Sequence, residues 1–164
     1  MSKALLLVLL LSLVVPVAAQ RKHKSEEVGS EANRAASDAR SFLELFSKLE
    51  RDWGLAAQKR DQVSLDATVA PEFIERDATD PDHTITRAEW MEKSLANYTL
   101  DPLSIRSMTI RAFLGNAIVS FVQKQKATPS GADRNGDFFI VDLWVVNHGN
   151  WQVATRFISP INNP

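Results

Sequence analysis

The sequence predicts an α+β fold in which helices come first and pack on one face of a curved, mainly antiparallel sheet. Two observations carry this. Between Phe42 and Ala57, apolar residues recur at spacings of three and four, the period of an amphipathic helix. After Pro102 the period drops to two, through "IRSMTIRAF", "AIVSFVQKQ", "FFIVDLWVV" and "WQVATRFI". No internal repeat interrupts this order.

The first stretch stands apart from the fold. "MSKALLLVLLLSLVVPVAAQ" has a basic start at Lys3, an apolar run from Ala4 to Val15, and small residues at Ala18 and Ala19. That is the grammar of a secretory signal peptide, residues 1–19, cut between Ala19 and Gln20. Its apolar run is too short for a convincing membrane span. The expected product is secreted or periplasmic, with no membrane partner after cleavage. Residues 20–36 are polar and charged without a sustained apolar period, and read as a flexible lead. Residues 37–164 form one domain.

Within it, the first helix starts near Ser37, with Phe42, Phe46, Leu49, Trp53 and Ala57 on its apolar stripe. Asp61 is placed to cap a second, shorter helix carrying Val63, Leu65 and Val69, which Pro71 ends. "FIERD", Phe73–Asp77, reads as a short strand, and "ATDPDHTI" as a loop carrying Pro81. Thr86 and Glu89 stand at capping-box spacing and open a third helix through Trp90, Met91 and Leu95. Four strands follow. "LGN" and "HGN" are tight hairpin turns, and "TPSGADRNG" is a longer loop.

Composition narrows the function classes. The chain has 164 residues, 19 Lys and Arg against 20 Asp and Glu, and no cysteine. Near-neutral charge gives no footing for nucleic acid or an anionic membrane. Without cysteine there is neither disulfide nor thiol chemistry, so an exported domain of this kind is held by packing alone. His23, His83 and His148 are isolated in lead, loop and turn, so no metal site is expected. Neither a nucleophile motif nor a phosphate-cradling glycine loop is present, and no cofactor is implied.

The last hairpin speaks about both sheet faces. With His148-Gly149 as the turn and a regular ladder, Asp142 opposes Thr155, Trp144 opposes Val153, and Ile140 opposes Phe157. These share one face with Phe138. The other face carries Phe139, Val141, Leu143, Val145, Ala154 and Ile158, with Gln152 and Arg156. Both faces are apolar and helices cover only one, so the outer face is expected to form a homodimer. Asp142 falls among aromatic side chains, where a carboxyl must be hydrogen-bonded, paired or protonated. Thr155, the Trp53 indole or an arginine could satisfy it. Arg156 lies on the opposite face in this register, and a one-residue bulge would bring it across.

"W…A…RD", Trp53 to Asp61, and "D-x-W…G-x-W-x-V", Asp142 to Val153, resemble the nuclear-transport-factor-2-like superfamily over about residues 38–160. It includes ketosteroid isomerases, SnoaL-like polyketide cyclases, and many exported proteins of unknown function. The resemblance implies a cone-shaped roll of three helices on a curved sheet. By likeness to the isomerases, Asp77 falls at or next to a general base and Trp53 at a phenol donor. Asp142 falls at an aspartate kept neutral by its apolar site, so that it donates a hydrogen bond. Trp53 departs from the pattern, because an indole N–H donates a hydrogen bond but is not a phenol acid. The candidate catalytic residues are therefore Asp142 and Asp77. Trp53, Glu75, Trp144, Tyr98, Thr155 and Phe157 are the candidate lining of a pocket for a small, mostly apolar molecule. Two functions stay open: binding such a molecule, with or without acid–base chemistry, or association through the outer face with a filled cone.

Overall fold

The computed structural model describes residues 17–97, 104–125 and 136–161. It contains three helices and six strands: α1 Val17–Lys59, α2 Gln62–Thr68, β1 Val69–Asp77, β2 Asp80–Thr86, α3 Arg87–Asn97, β3 Arg106–Phe113, β4 Asn116–Gln125, β5 Gly136–Asn147 and β6 Asn150–Pro160. The chain divides into two compact units, one ending at Asp38 and the other running Ala39–Pro164. The first holds the N-terminal part of α1. The second holds the rest of α1 and every other element. The signal-peptide expectation falls mostly on residues 1–16, which lie outside the described residues, as do Tyr98 and Pro102. No helix among the described residues is long and apolar enough to cross a membrane.

Residues 20–36, expected as a flexible lead, are helical and belong to α1. They are rich in Glu, Lys, Arg and Ala and contain no proline. Extending a formed helix through such residues costs little, since the unfavourable step is nucleation. Farther on, the predicted stripe is the buried one. Phe46, Trp53 and Ala57 are enclosed, and Phe42 and Leu49 pack against the core. Arg60 at φ 57° closes the helix, with its N–H bonded to the Ala57 carbonyl. Asp61 then caps α2, accepting from the Ser64 N–H at 3.1 Å. At α3 the Thr86 N–H and hydroxyl both donate to Glu89 Oε2, at 2.8 and 2.9 Å.

The sheet has the order β2-β1-β6-β5-β4-β3. All neighbours are antiparallel except β1 and β6, which run parallel. The segment expected as a loop with Pro81 is mostly strand β2. It lies at the sheet edge, where a residue without an N–H is tolerated. Pro71 likewise sits within β1, after α2 has ended.

The hairpin register differs from a regular ladder. Trp144 pairs with Val153 as predicted, but Leu143 pairs with Thr155, Asp142 with Arg156, and Ile140 with Ile158. Ala154 is the extra residue, a β-bulge. Beyond it every β6 side chain lies on the face opposite to the one a regular ladder would give it. Arg156 and Ile158 turn inward, and Thr155 and Phe157 turn outward.

Candidate functional site

The bulge brings a guanidinium to the carboxylate that needed one. Arg156 Nε donates to Asp142 Oδ1 at 2.8 Å, and Nη2 to Oδ2 at 2.6 Å. The fork is bidentate, the strongest form of this contact. A third group comes from α1, where Glu50 Oε2 accepts from Arg156 Nη2 at 3.4 Å and Oε1 accepts from the Trp144 indole at 2.8 Å. Asp142, Arg156 and Glu50 are all buried. The Arg156 Cζ lies 3.9 Å from the centroid of the Trp53 ring, a desolvated cation–π contact.

Strand register extends this group into a row across the sheet. Ile110, Val119, Asp142, Arg156, Glu75 and Ile85 are successive partners from β3 to β2. The flanks are aliphatic and the centre is charged. Glu75 is buried beside Arg156. Three carboxyls thus stand around one guanidinium, and burial cannot support that excess of negative charge. Glu50 is the carboxyl whose proton affinity rises. Burial first, and then the charge of Asp142, push its carboxyl well above the usual range, while Arg156 and the Trp144 N–H pull it down. The carboxyl that burial pushes upward in this cluster is Glu50, on the helix. Among the described residues, no group of three acids, histidines or cysteines is placed to hold a metal.

The same architecture occurs in solved structures. An NTF2-like protein from Cytophaga hutchinsonii superposes with a TM-score of 0.62 at 17% identity, over 72% of this chain and 97% of that one. The fold is NTF2-like. An NTF2-like protein of unknown function in nutrient uptake, from Rhodospirillum rubrum, has a TM-score of 0.59 at 17% identity, over 70% of this chain and 96% of that one. The CaMKII hub homology domain of Chlamydomonas reinhardtii has a TM-score of 0.55 at 13% identity, over 76% of this chain and 98% of that one. No protein-family model matches the sequence, and no curated protein does.

On this NTF2-like sheet the predicted site residues separate into two sets. Asp142, Trp53, Glu75 and Trp144 meet on the inner face. Trp53 and Trp144 pack edge to face at 6.1 Å, with Phe73 and Trp90 completing the aromatic group. Thr155 and Phe157 do not join them, because the bulge puts both on the outer face. Asp77 stands at the end of β1, where Oδ1 accepts from the Thr79 N–H at 2.8 Å and its hydroxyl at 2.7 Å, holding the β1–β2 turn.

Sequence reasoning missed several interior polar residues. Glu50 was legible, since it follows Phe46 by four and precedes Trp53 by three, at stripe spacing. Gln123 and Gln125 continue the inward row of Val119 and Phe121 and are buried on the inner face of β4. Ser94 of α3 is fully buried. The Trp53 Nε1, Ser94 Oγ, Gln123 Oε1 and Gln125 Nε2 atoms are buried and have no hydrogen-bond partner among the described residues.

Proposed function

We propose that the chain is an exported, non-covalent binding domain whose NTF2-like cone takes a small, mostly apolar molecule bearing hydrogen-bonding groups, and that it works as a homodimer. One observation carries the binding reading. Four buried polar atoms on α1, α3 and β4 lack partners among the described residues. Each such orphan costs about 1–3 kcal/mol. A bound molecule with donors and acceptors on an apolar frame would satisfy them, and the aromatic group around Trp53 suits that frame. Asp142 supports binding more than turnover, because Arg156 already engages both of its oxygens.

Homodimerisation is supported by the outer face. Phe139 and Phe157 are 43% and 49% exposed there, beside Val141 and Leu143. Patches of this kind mark contact surfaces. The similarity to a hub homology domain supports it as well. This face also carries the second reading, a non-catalytic association module whose cone is filled by its own aromatic side chains.

Native mass spectrometry of the exported protein separates the two. A small molecule that leaves on denaturation is the expected result. A bare chain from native export, with no ligand-dependent shift in melting temperature, would leave only the association module. Export itself is read from the N-terminus of the secreted product, expected at Gln20.

A further inference from the structure

A second candidate site lies at the turn end of the last hairpin and shares no residue with the charged row. A groove of about 620 Å3 opens between Leu49 of α1, Ala67 of α2 and the β5–β6 turn. That volume is in the usual range for small-molecule sites. Trp151 lines it and is braced from behind, its ring centroid 5.1 Å from that of Phe46 with the planes at 71°. The core thus fixes the indole in place.

The side-chain amides of Asn147, Asn150 and Gln152 share the lining, carried on the strand face opposite to Trp151. Gln152 Nε2 donates to the Ala67 carbonyl at 2.9 Å, and Gln152 Oε1 accepts from Asn147 Nδ2 at 2.9 Å. The relay ties α2 to the hairpin and fixes both amide planes. Asn147 keeps its carbonyl oxygen for an incoming donor. The turn places His148, at φ 49°, and Asn150 on the exposed rim. The lining residues include no Asp, Glu, Lys or Arg. A neutral ligand therefore fits better than an ion.

We infer that this groove binds a neutral saccharide. A pyranose ring has a face of C–H bonds and a rim of hydroxyls that both donate and accept. The fixed indole matches the first, and the amides of Asn147, Asn150 and Gln152 match the second. The volume admits more than one ring. The inference is independent of what the cone holds.

The test is a titration of the full exported chain, labelled with 15N, against glucose, galactose, N-acetylglucosamine, maltose and cellobiose. The expected result is a saturable shift of the Trp151 indole N–H and the neighbouring side-chain amides with at least one sugar. Asn150→Ala, at an exposed rim position, should weaken that sugar about tenfold, the loss of one hydrogen bond. Trp151→Phe keeps a ring on the core and should weaken it as well. No saturable shift with any of the five sugars up to about 50 mM, far above a millimolar dissociation constant, would overturn the inference. Equal affinity in wild type and both variants would do the same.

Discussion

Arg156 of β6 holds both carboxylate oxygens of Asp142 on β5, and the two side chains are 2% and 0% exposed. Enclosed pairs are costly to break one partner at a time, because the survivor keeps its charge without water. Asp142→Leu should therefore cost about 3–5 kcal/mol. Arg156→Met should cost at least as much, since it leaves Asp142 and Glu75 buried together. The double variant should recover most of either loss, because a well-packed apolar pair of similar volume is often neutral. Urea melts of the four proteins measure this, and additive losses would show that the two residues are not coupled.

The raised Glu50 carboxyl should shape the alkaline side of the stability profile. Burial and Asp142 raise its carboxyl above its unfolded value. The folded chain then keeps a proton that the unfolded chain gives up. The stability this supplies is complete below the ordinary carboxyl range and is lost as pH rises through the folded value. Asp61 and Glu89 act in the opposite sense, because hydrogen bonds from Ser64 and Thr86 hold both below their ordinary values. Their support is lost as pH falls. Glu50→Gln keeps an oxygen for the Trp144 N–H. It should fold, and its urea midpoint should decline less than wild type as pH rises above the ordinary carboxyl range. Parallel profiles for the two proteins would place the titrating group elsewhere.

The fold was legible wherever period and punctuation agreed. The stripe from Phe42 to Ala57, the Asp61 cap, the Thr86 and Glu89 box, and the turns at Gly115 and Gly149 all appear as expected. What failed did so for local reasons. Pro81 argued for a loop and was tolerated because β2 is an edge strand. Ala154 hid the register, because Ala-Thr-Arg-Phe alternates acceptably in either phase. That one residue decided which of Thr155 and Arg156 faced Asp142. The need for a partner at Asp142 was visible in the sequence; its identity depended on the bulge. Gln123, Gln125 and Ser94 gave little signal, since a polar residue at an inward position of a predicted element reads equally as a slip of phase.

If the outer face joins two copies, a charge at its centre should part them. Phe157 points away from the core, so Phe157→Lys removes no interior packing. Sedimentation velocity at micromolar concentration should show a dimer for wild type and a monomer for the variant. The loss should come without a large change in far-ultraviolet circular dichroism. A wild-type monomer at high micromolar concentration would remove the dimer altogether.

Gln123 separates stability from binding. Its Oε1 is buried without a partner among the described residues. Gln123→Leu keeps the volume and removes the unsatisfied group, so the free protein should gain about 0.5–2 kcal/mol. The same change should reduce retention of any co-purified molecule. Sites that trade stability for function behave this way. A variant that is less stable and binds unchanged would mean that Gln123 is satisfied by its own chain and serves only the fold.

The bulge offers the most direct test of the charged row, because chain length at Ala154 sets which side chain meets Asp142. Deleting Ala154 removes the extra residue and makes the β5–β6 ladder regular. Leu143 still pairs with Thr155 and Asp142 still pairs with Arg156, so the buried pair survives. The deletion should keep one cooperative transition, with a modest loss where β6 meets the break in the β1 register between Val69 and Ile74. Inserting one alanine after Ala154 does the reverse. With a single bulged residue, Thr155 then faces Asp142 and the guanidinium is carried to the outer face. Asp142 would be buried without its cation, and Glu50 would lose a group that lowers its carboxyl. The insertion should abolish cooperative unfolding. Far-ultraviolet circular dichroism across a urea series reads both variants. An insertion that unfolds as sharply as the deletion would mean that the sheet accepts either residue at Asp142, and that the Arg156–Asp142 pair does not fix the strand.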